Sequence, residues 1–295
     1  LCTPIVFGDF GVLEKCATTT GRPLAAPTIA ADEVARTEHP AVLNLSQLDT
    51  RQLTPGRSDA TTGSAGYQYV TAAVEACQHG VVSAMATAPI SKAALKAAGI
   101  KHPGHTEILA ELTAAPSHCM MFHSDVLICS LVTVHVGLRD VPPLLTPDRI
   151  ADTIRLTRAA VAPLVNREPR IAVCGLNPHA GEHGLFGGRE EEILIEPAIA
   201  AVRSEGGDIE GPLPPDTAFN RKARARFDAH VCMYHDQALI PLKTLAFDRA
   251  VNLTLGLPIV RTSVDHGTAP DIAWQGKANP RSLREAVLLA ARLSQ

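Results

Sequence analysis

Tyr67 to Ala98 reads YQYVTAAVEACQHGVVSAMATAPISKAALKAA, and its punctuation decides the fold. An Ala/Val-rich helical face runs from Tyr67 to Gln78 and stops at Gly80, a residue suited to the left-handed conformation that caps a helix. VVSAMA, at 81–86, follows as a short apolar run of strand length. Thr87-Ala88-Pro89 ends that run, and Ser91 to Ala98 resumes helix until Gly99.

The same alternation extends in both directions. Strands are expected at Ile5 to Phe7, Ala41 to Leu45, Cys119 to Phe122, Val126 to Val136, Arg170 to Leu176 and His230 to Tyr234. Helices are expected at Pro147 to Val165, Glu190 to Ser204 and Ser282 to Arg292, with one short helix in the Ala/Pro-rich connection from Arg22 to Pro40. Strand followed by helix, repeated, predicts an α/β fold with a largely parallel sheet. Ligands of such sheets bind at the carboxyl ends of the strands. The polar motifs Thr87-Ala88-Pro89, Asn177-Pro178-His179 and His235-Asp236-Gln237 fall at those ends. At 295 residues the chain exceeds the usual single domain. No linker divides it into sequential halves, so the second domain is expected as an insertion.

Lys and Arg number 27 against 30 Asp and Glu, and no segment concentrates one sign, so neither nucleic acid nor anionic membrane is expected as a partner. The seven cysteines show no C-x-x-C spacing and sit mostly in apolar runs, such as Cys174 in IAVCGL. They read as small core residues in a reducing cytoplasm. No apolar run is long enough to span a bilayer, and no signal-peptide pattern is present.

Of twelve histidines, His135, His179 and His235 stand at or just past a strand end, and three imidazoles with an open position suit a catalytic zinc-type site. A lone histidine at a strand end more often bonds a carbonyl; the equivalence of the three places makes metal binding as good a reading as capping. His105, Thr106 and Glu107 open a predicted helix after Pro103-Gly104, where free amides favour an anion. Lys243, Asn252 and Arg261 follow His235 at offsets of 8, 17 and 26, each a candidate contact of one cleft, with Arg suited to bidentate anion binding. Asp265, His266, Gly267, Thr268 and Asp271 belong to a flexible, hydroxyl- and carboxylate-bearing loop of nucleotide-binding character. No G-x-G-x-x-G, P-loop or G-x-S-x-G motif occurs. Asp9-Phe10-Gly11 has no companion kinase motif.

Taken together, PGHTE at 103–107, CGLNPHAGEHGLFG at 174–187, GPLPPDTAF at 211–219, MYHDQ at 233–237 and VNLTLGLPIVRTSVDHGTAPDIA at 251–273 resemble the 4-hydroxythreonine-4-phosphate dehydrogenase family of pyridoxal phosphate biosynthesis. The resemblance implies two α/β/α domains around a cleft, similar to isocitrate and isopropylmalate dehydrogenases. The expected division is residues 1–103 with 250–295 as nucleotide-binding domain and residues 104–249 as metal- and dimer-forming domain. It also implies NAD bound without a Rossmann loop and a homodimer with the active site at the interface. One divalent metal per subunit would be held by His135, His179 and His235, with zinc expected first and cobalt, magnesium or manganese as alternatives. His105, Thr106, Lys243, Asn252 and Arg261 would hold a phosphorylated hydroxy-amino acid, and the 265–271 loop the NAD.

The implied reaction oxidises 4-phosphooxy-L-threonine and decarboxylates the product. Asp216, Asp236 or His105 would accept the proton, a choice the residues leave open. The chain departs from the family pattern in two places. The opening segment of type GDPAGIGPE is absent, which predicts that a first βα unit of roughly 30 residues is missing. Trp274 replaces a glycine usual after DIA, as in relatives acting on phosphorylated sugar acids such as 4-phospho-D-threonate, so the alternative within the family is a dehydrogenase of 4-phospho-D-threonate or 4-phospho-D-erythronate. The rival readings are a three-histidine metal hydrolase and an inactive relative.

Overall fold

The computed structural model describes residues 2–102, 104–247 and 249–294; Pro103, first residue of the PGHTE motif and edge of the expected domain division, lies outside them. The chain runs β1 (Ile5–Gly8), α1 (Phe10–Thr20), β2 (Thr28–Ile29), β3 (Ala41–Asn44), α2 (Ala60–Gln78), β4 (Ala84–Thr87), α3 (Lys92–Ala97) and α4 (His105–Leu112). It continues through β5 (Cys119–His123), β6 (Ile128–Leu131), α5 (Val141–Leu144), α6 (Pro147–Val165), β7 (Arg170–Cys174), α7 (Glu196–Ser204) and β8 (Asp208–Leu213). There follow α8 (Pro215–Ala218), α9 (Arg221–Arg224), β9 (Ala229–Cys232), α10 (His235–Ala246), β10 (Val251–Leu255), β11 (Val260–Ser263) and α11 (Arg281–Leu293). Two units result, unit 1 comprising Leu1–Ala115 with Leu257–Gln295 and unit 2 comprising Pro116–Gly256. This differs from the expected division: α4, with His105 and Thr106, belongs to unit 1, because Ile108 and Leu109 are buried against Val70, Val74, Met85 and Leu95.

In unit 1, β1, β3 and β2 form a parallel sheet with Ile5 opposite Ala41, and β4 pairs parallel with β11, Val260 opposite Ala84. Helix α2 begins seven residues before Tyr67, because the Asp59 carboxylate accepts the Thr62 N–H at 2.8 Å and caps the free end. Gly63 lets α2 pack hard on α3, since a Cβ there would lie 2.0 Å from the Ala94 carbonyl oxygen.

Unit 2 orders its strands β10-β5-β6-β9-β7-β8. The sheet is mixed rather than largely parallel: β5 runs antiparallel to both β6 and β10, while β6/β9, β9/β7 and β7/β8 are parallel. The central strands read as near-continuous apolar runs, as strands covered on both faces do. Ile150, Ile154, Ile171, Val173, Ile195 and Ile199 form one core with little or no exposure, each contributing about 1.5–3 kcal/mol relative to exposure. Strands β8, β10 and β11 and helix α10 are absent from the sequence reading. Gly211-Pro212 interrupts the apolar pattern of β8, and Pro241 lies inside α10, so each carries a residue that normally argues against its element. The strand expected over Val126 to Val136 is regular only to Leu131; beyond it Val132 and Thr133 donate to the Cys232 and Met233 carbonyls.

Candidate active site

His135 and His235 lie at the carboxyl ends of the neighbouring parallel strands β6 and β9. The Thr133 hydroxyl also donates to the Met233 carbonyl at 2.7 Å, fixing the two strand exits side by side. The imidazole centroids are 5.7 Å apart, tilted by 41°. His235 opens α10, and its Nδ1 is 2.7 Å from Asp236 Oδ1. With Nδ1–H donating to that carboxylate, Nε2 keeps its lone pair, the arrangement by which carboxylates orient metal-binding histidines.

His179 follows β7 in a turn of unusual backbone. His179, Ala180, Gly181, Glu182 and His183 all have positive φ, between 42° and 77°, and a left-handed non-glycine residue costs roughly 1–2 kcal/mol. His179, Glu182 and His183 are exposed while Gly181 is buried, and the turn lines, with Arg189, Glu192 and Glu196, a cavity of about 220 Å³. Gln237 ties it to the neighbouring strand exit: its Oε1 accepts the Met233 N–H and its Nε2 donates to the Gly175 carbonyl, both at 2.7 Å. Among the described residues, no three His, Cys, Asp or Glu side chains are grouped so as to hold a metal. His135 and His235 are brought together; His179 is not grouped with them.

Unit 1 carries a second polar cluster. Arg261, on β11, is 4% exposed, and its Nη2 donates to Thr87 Oγ1, at the end of β4, at 2.8 Å. Burial lowers the Arg261 guanidinium to about 10, leaving it charged at neutral pH. Burial, together with the Arg261 charge, pushes His105 down to about 3, so its imidazole stays neutral at physiological pH. Thr106 follows it in the first turn of α4. The exposed 266–271 segment leaves the carboxyl end of β11, held by Asp265 N–H donating to Ser282 Oγ at 3.3 Å. Gly56 meets it so closely that a Cβ would lie 2.4 Å from the Pro270 oxygen.

The family model described as pyridoxal phosphate biosynthetic protein PdxA matches residues 1–290. The chain belongs to the PdxA family. A 4-hydroxythreonine-4-phosphate dehydrogenase of Trichlorobacter lovleyi is 46% identical over 99% of this chain and 89% of its own. A D-threonate 4-phosphate dehydrogenase of Cupriavidus necator is 45% identical over 99% and 88%. The crystal structure of a Klebsiella pneumoniae 4-hydroxythreonine-4-phosphate dehydrogenase superposes with a TM-score of 0.89 at 39% identity, over 99% of this chain and 90% of that one. This PdxA-family chain is thus an oxidoreductase with the α/β fold of those dehydrogenases.

The other expected site residues of the PdxA-family chain lie as follows. Lys243 sits on α10 with Nζ 5.7 Å from the Phe247 ring centroid. Asn252 lies on β10, its buried Oδ1 without a hydrogen-bond partner among the described residues. Asp216 is exposed in the first turn of α8, and Asp236 is engaged by His235. Three residues of the site's framework were given no role by the sequence: Thr87, Gln237 and Glu191, whose carboxylate accepts the Leu176 and Asn177 N–H groups just before the His179 turn. Two stand within quoted motifs, TAP and HDQ, and only the partners they bind separate them from their neighbours.

Proposed function

We propose that the chain oxidises 4-phosphooxy-L-threonine at C3 with NAD and decarboxylates the product to 3-amino-2-oxopropyl phosphate. In the net reaction the C3 hydrogen leaves as hydride to NAD, the hydroxyl proton passes to a base, the carboxylate departs as carbon dioxide, and C2, which keeps the bonding pair, takes up a proton. The observation that carries this reading is the paired His135 and His235 imidazoles, with His235 Nδ1 tied to Asp236, in a chain whose 46%-identical relative is named for the 4-hydroxythreonine-4-phosphate reaction.

Two adjacent imidazoles fit a divalent ion as two of three protein ligands, and we assign the third to His179 of a second copy. Bound there, a divalent ion supplies Lewis acidity that lowers the alcohol pKa and polarises the ketone; zinc fits three imidazoles best, then cobalt. Arg261 and Lys243 balance phosphate and carboxylate, fixing the carbinol hydrogen in one orientation. Neutral His105 and Thr106 offer hydrogen bonds without adding charge, and Asn252 Oδ1 presents an acceptor whose burial favours a bound donor. Asp216 and Asp236 are the assigned carboxylates for proton transfer, Asp236 also holding the His235 tautomer. The NAD is assigned to the segment containing Asp265, His266, Gly267, Thr268 and Asp271 in unit 1, and the metal and dimer face to unit 2.

The dimer reading is supported by exposed apolar side chains in the segments that carry the imidazoles, including Val136, Leu138, Leu185, Phe186, Ile240 and Phe247, surface of the kind that an interface covers. No helix among the described residues is long and apolar enough to cross a membrane, and we place the enzyme in the cytoplasm.

A second substrate, 4-phospho-D-threonate, is favoured by the Cupriavidus relative and by Trp274, whose ring lies 5.8 Å from Lys15 Nζ. Absorbance at 340 nm on mixing enzyme, NAD and divalent metal with each substrate tests both readings. NADH formed faster with 4-phosphooxy-L-threonine supports the first, and the reverse order supports the second. Hydrolysis without nucleotide contradicts both.

A further inference from the structure

We propose that Glu191 is the positioning residue for His179, holding its left-handed turn in the conformation that presents the imidazole. This rests on the reading of His179 as a metal ligand. Glu191 is 2% exposed and opens a single π-helical turn, Glu191–Ile195, just before α7. Its Oε1 accepts the backbone N–H groups of Leu176 at 2.8 Å and Asn177 at 2.7 Å, and its Oε2 accepts Asn177 Nδ2 at 3.1 Å. The same Asn177 amide donates to Glu190 Oε2 at 2.9 Å, so the turn is clamped just before His179.

The far side of the turn is fitted to the same carboxylate. Gly181, two residues after His179 and at φ +77°, comes so near that a Cβ would lie 2.5 Å from Glu191 Oε2. A Cβ on Gly175 would lie 3.2 Å from Oε1 and 2.9 Å from Ala180 Cα. A buried carboxylate is a poor choice for stability alone, since a well-packed apolar side chain of similar volume serves as well or better. What it supplies is direction. It satisfies donors on one side of His179 and leaves room for only a glycine on the other, so the strained backbone between them has one arrangement.

The test is metal affinity, measured by competition with a chelating dye for Zn²⁺, and the visible spectrum of the Co²⁺ form. His179→Ala, Glu191→Ala, Glu191→Gln and Gly181→Ala are compared as full-length protein, with thermal melts to confirm folding. Glu191→Ala and Gly181→Ala are expected to weaken affinity about 10–100-fold, the usual cost of removing a group that orients a ligand, and to change the Co²⁺ bands. Glu191→Gln keeps an oxygen for the two backbone donors and is expected to lose less than about tenfold. If Glu191→Ala does not fold, Gly181→Ala and Glu191→Gln carry the test. Wild-type affinity and spectrum in Gly181→Ala and in a folded Glu191 variant, beside loss in His179→Ala, overturn the positioning role alone. Wild-type affinity in His179→Ala overturns the metal reading beneath it.

Discussion

The polar cluster of unit 1, Arg261 with Thr87 and His105, is sheltered, whereas the imidazoles of unit 2 stand in the open. Arg261 is almost wholly buried with Thr87 as its fixed partner, and beside it His105 is held neutral. His135 and His179 are exposed, and the side chains next to them in sequence, Val136 and Phe186, are apolar and exposed as well. A buried cation is set in direction before substrate arrives, because its guanidinium has nowhere else to go. An exposed imidazole beside exposed apolar surface gains its low-dielectric surroundings only when another surface covers it. One cluster is preorganised by its own unit, and on our reading the other is finished by a second copy.

The largest effect is expected where the open cluster loses a ligand. His235→Ala should lower both metal content and turnover, the latter by at least about 10³-fold, equivalent to ~4 kcal/mol of transition-state stabilisation. Metal analysis and initial rates check this, and unchanged values would break the contrast at its open end. In the sheltered cluster, Arg261→Ala should leave metal content intact and reduce kcat/KM about 10²-fold or more, some 3 kcal/mol, since a buried charge partner is removed. Arg261→Lys should not rescue it, because an ammonium cannot reproduce the planar fork.

Acid sharpens the difference between sheltered and open imidazoles. Burial, and secondarily the Arg224 charge, lowers buried His230 to about 4 against the pull of its hydrogen bond to the Ala218 carbonyl. The unfolded chain takes up that proton near pH 6.5, so the stability His230 contributes is full above 6.5 and lost as pH falls to 4. The loss is about 3 kcal/mol. Denaturant midpoints across that range should fall, and His230→Gln should flatten the fall; His105, lowered to about 3, adds a slope of the same sign. The smallest effect concerns the apolar cover. Phe247→Asp or Leu185→Asp should weaken self-association about 10–100-fold, an interface side chain's usual worth, which light scattering over a dilution series would read.

Much of this arrangement is legible in the sequence because it repeats a local rule. Gly80 and Gly99, both with positive φ, mark helix ends where the alternation places them, and His135, His179 and His235 do fall just beyond β6, β7 and β9. The antiparallel course of β5 is not legible, because strand direction depends on which neighbour the strand pairs with, not on its own residues. Helix α10 stays hidden because Pro241 and a polar start obscure an apolar face that packs Ala238, Leu239 and Leu242 into the core. Glu191 escapes for a different reason. In the run REEE at 189–192 nothing distinguishes the one fully buried carboxylate from its two partly exposed neighbours, and only the turn it holds reveals it.

The central claim, that a metal-dependent dehydrogenase site is built from two chains, is tested most directly by mixing His179→Ala with His235→Ala, reassociating the subunits and following NADH at 340 nm. Each variant alone should be inactive. In a symmetric dimer whose sites each draw on both chains, a mixed pair has one site free of substitutions, so random reassociation should restore about a quarter of the wild-type rate. A mixture as inactive as its parents would contradict the account, placing all three histidines of each site on one chain.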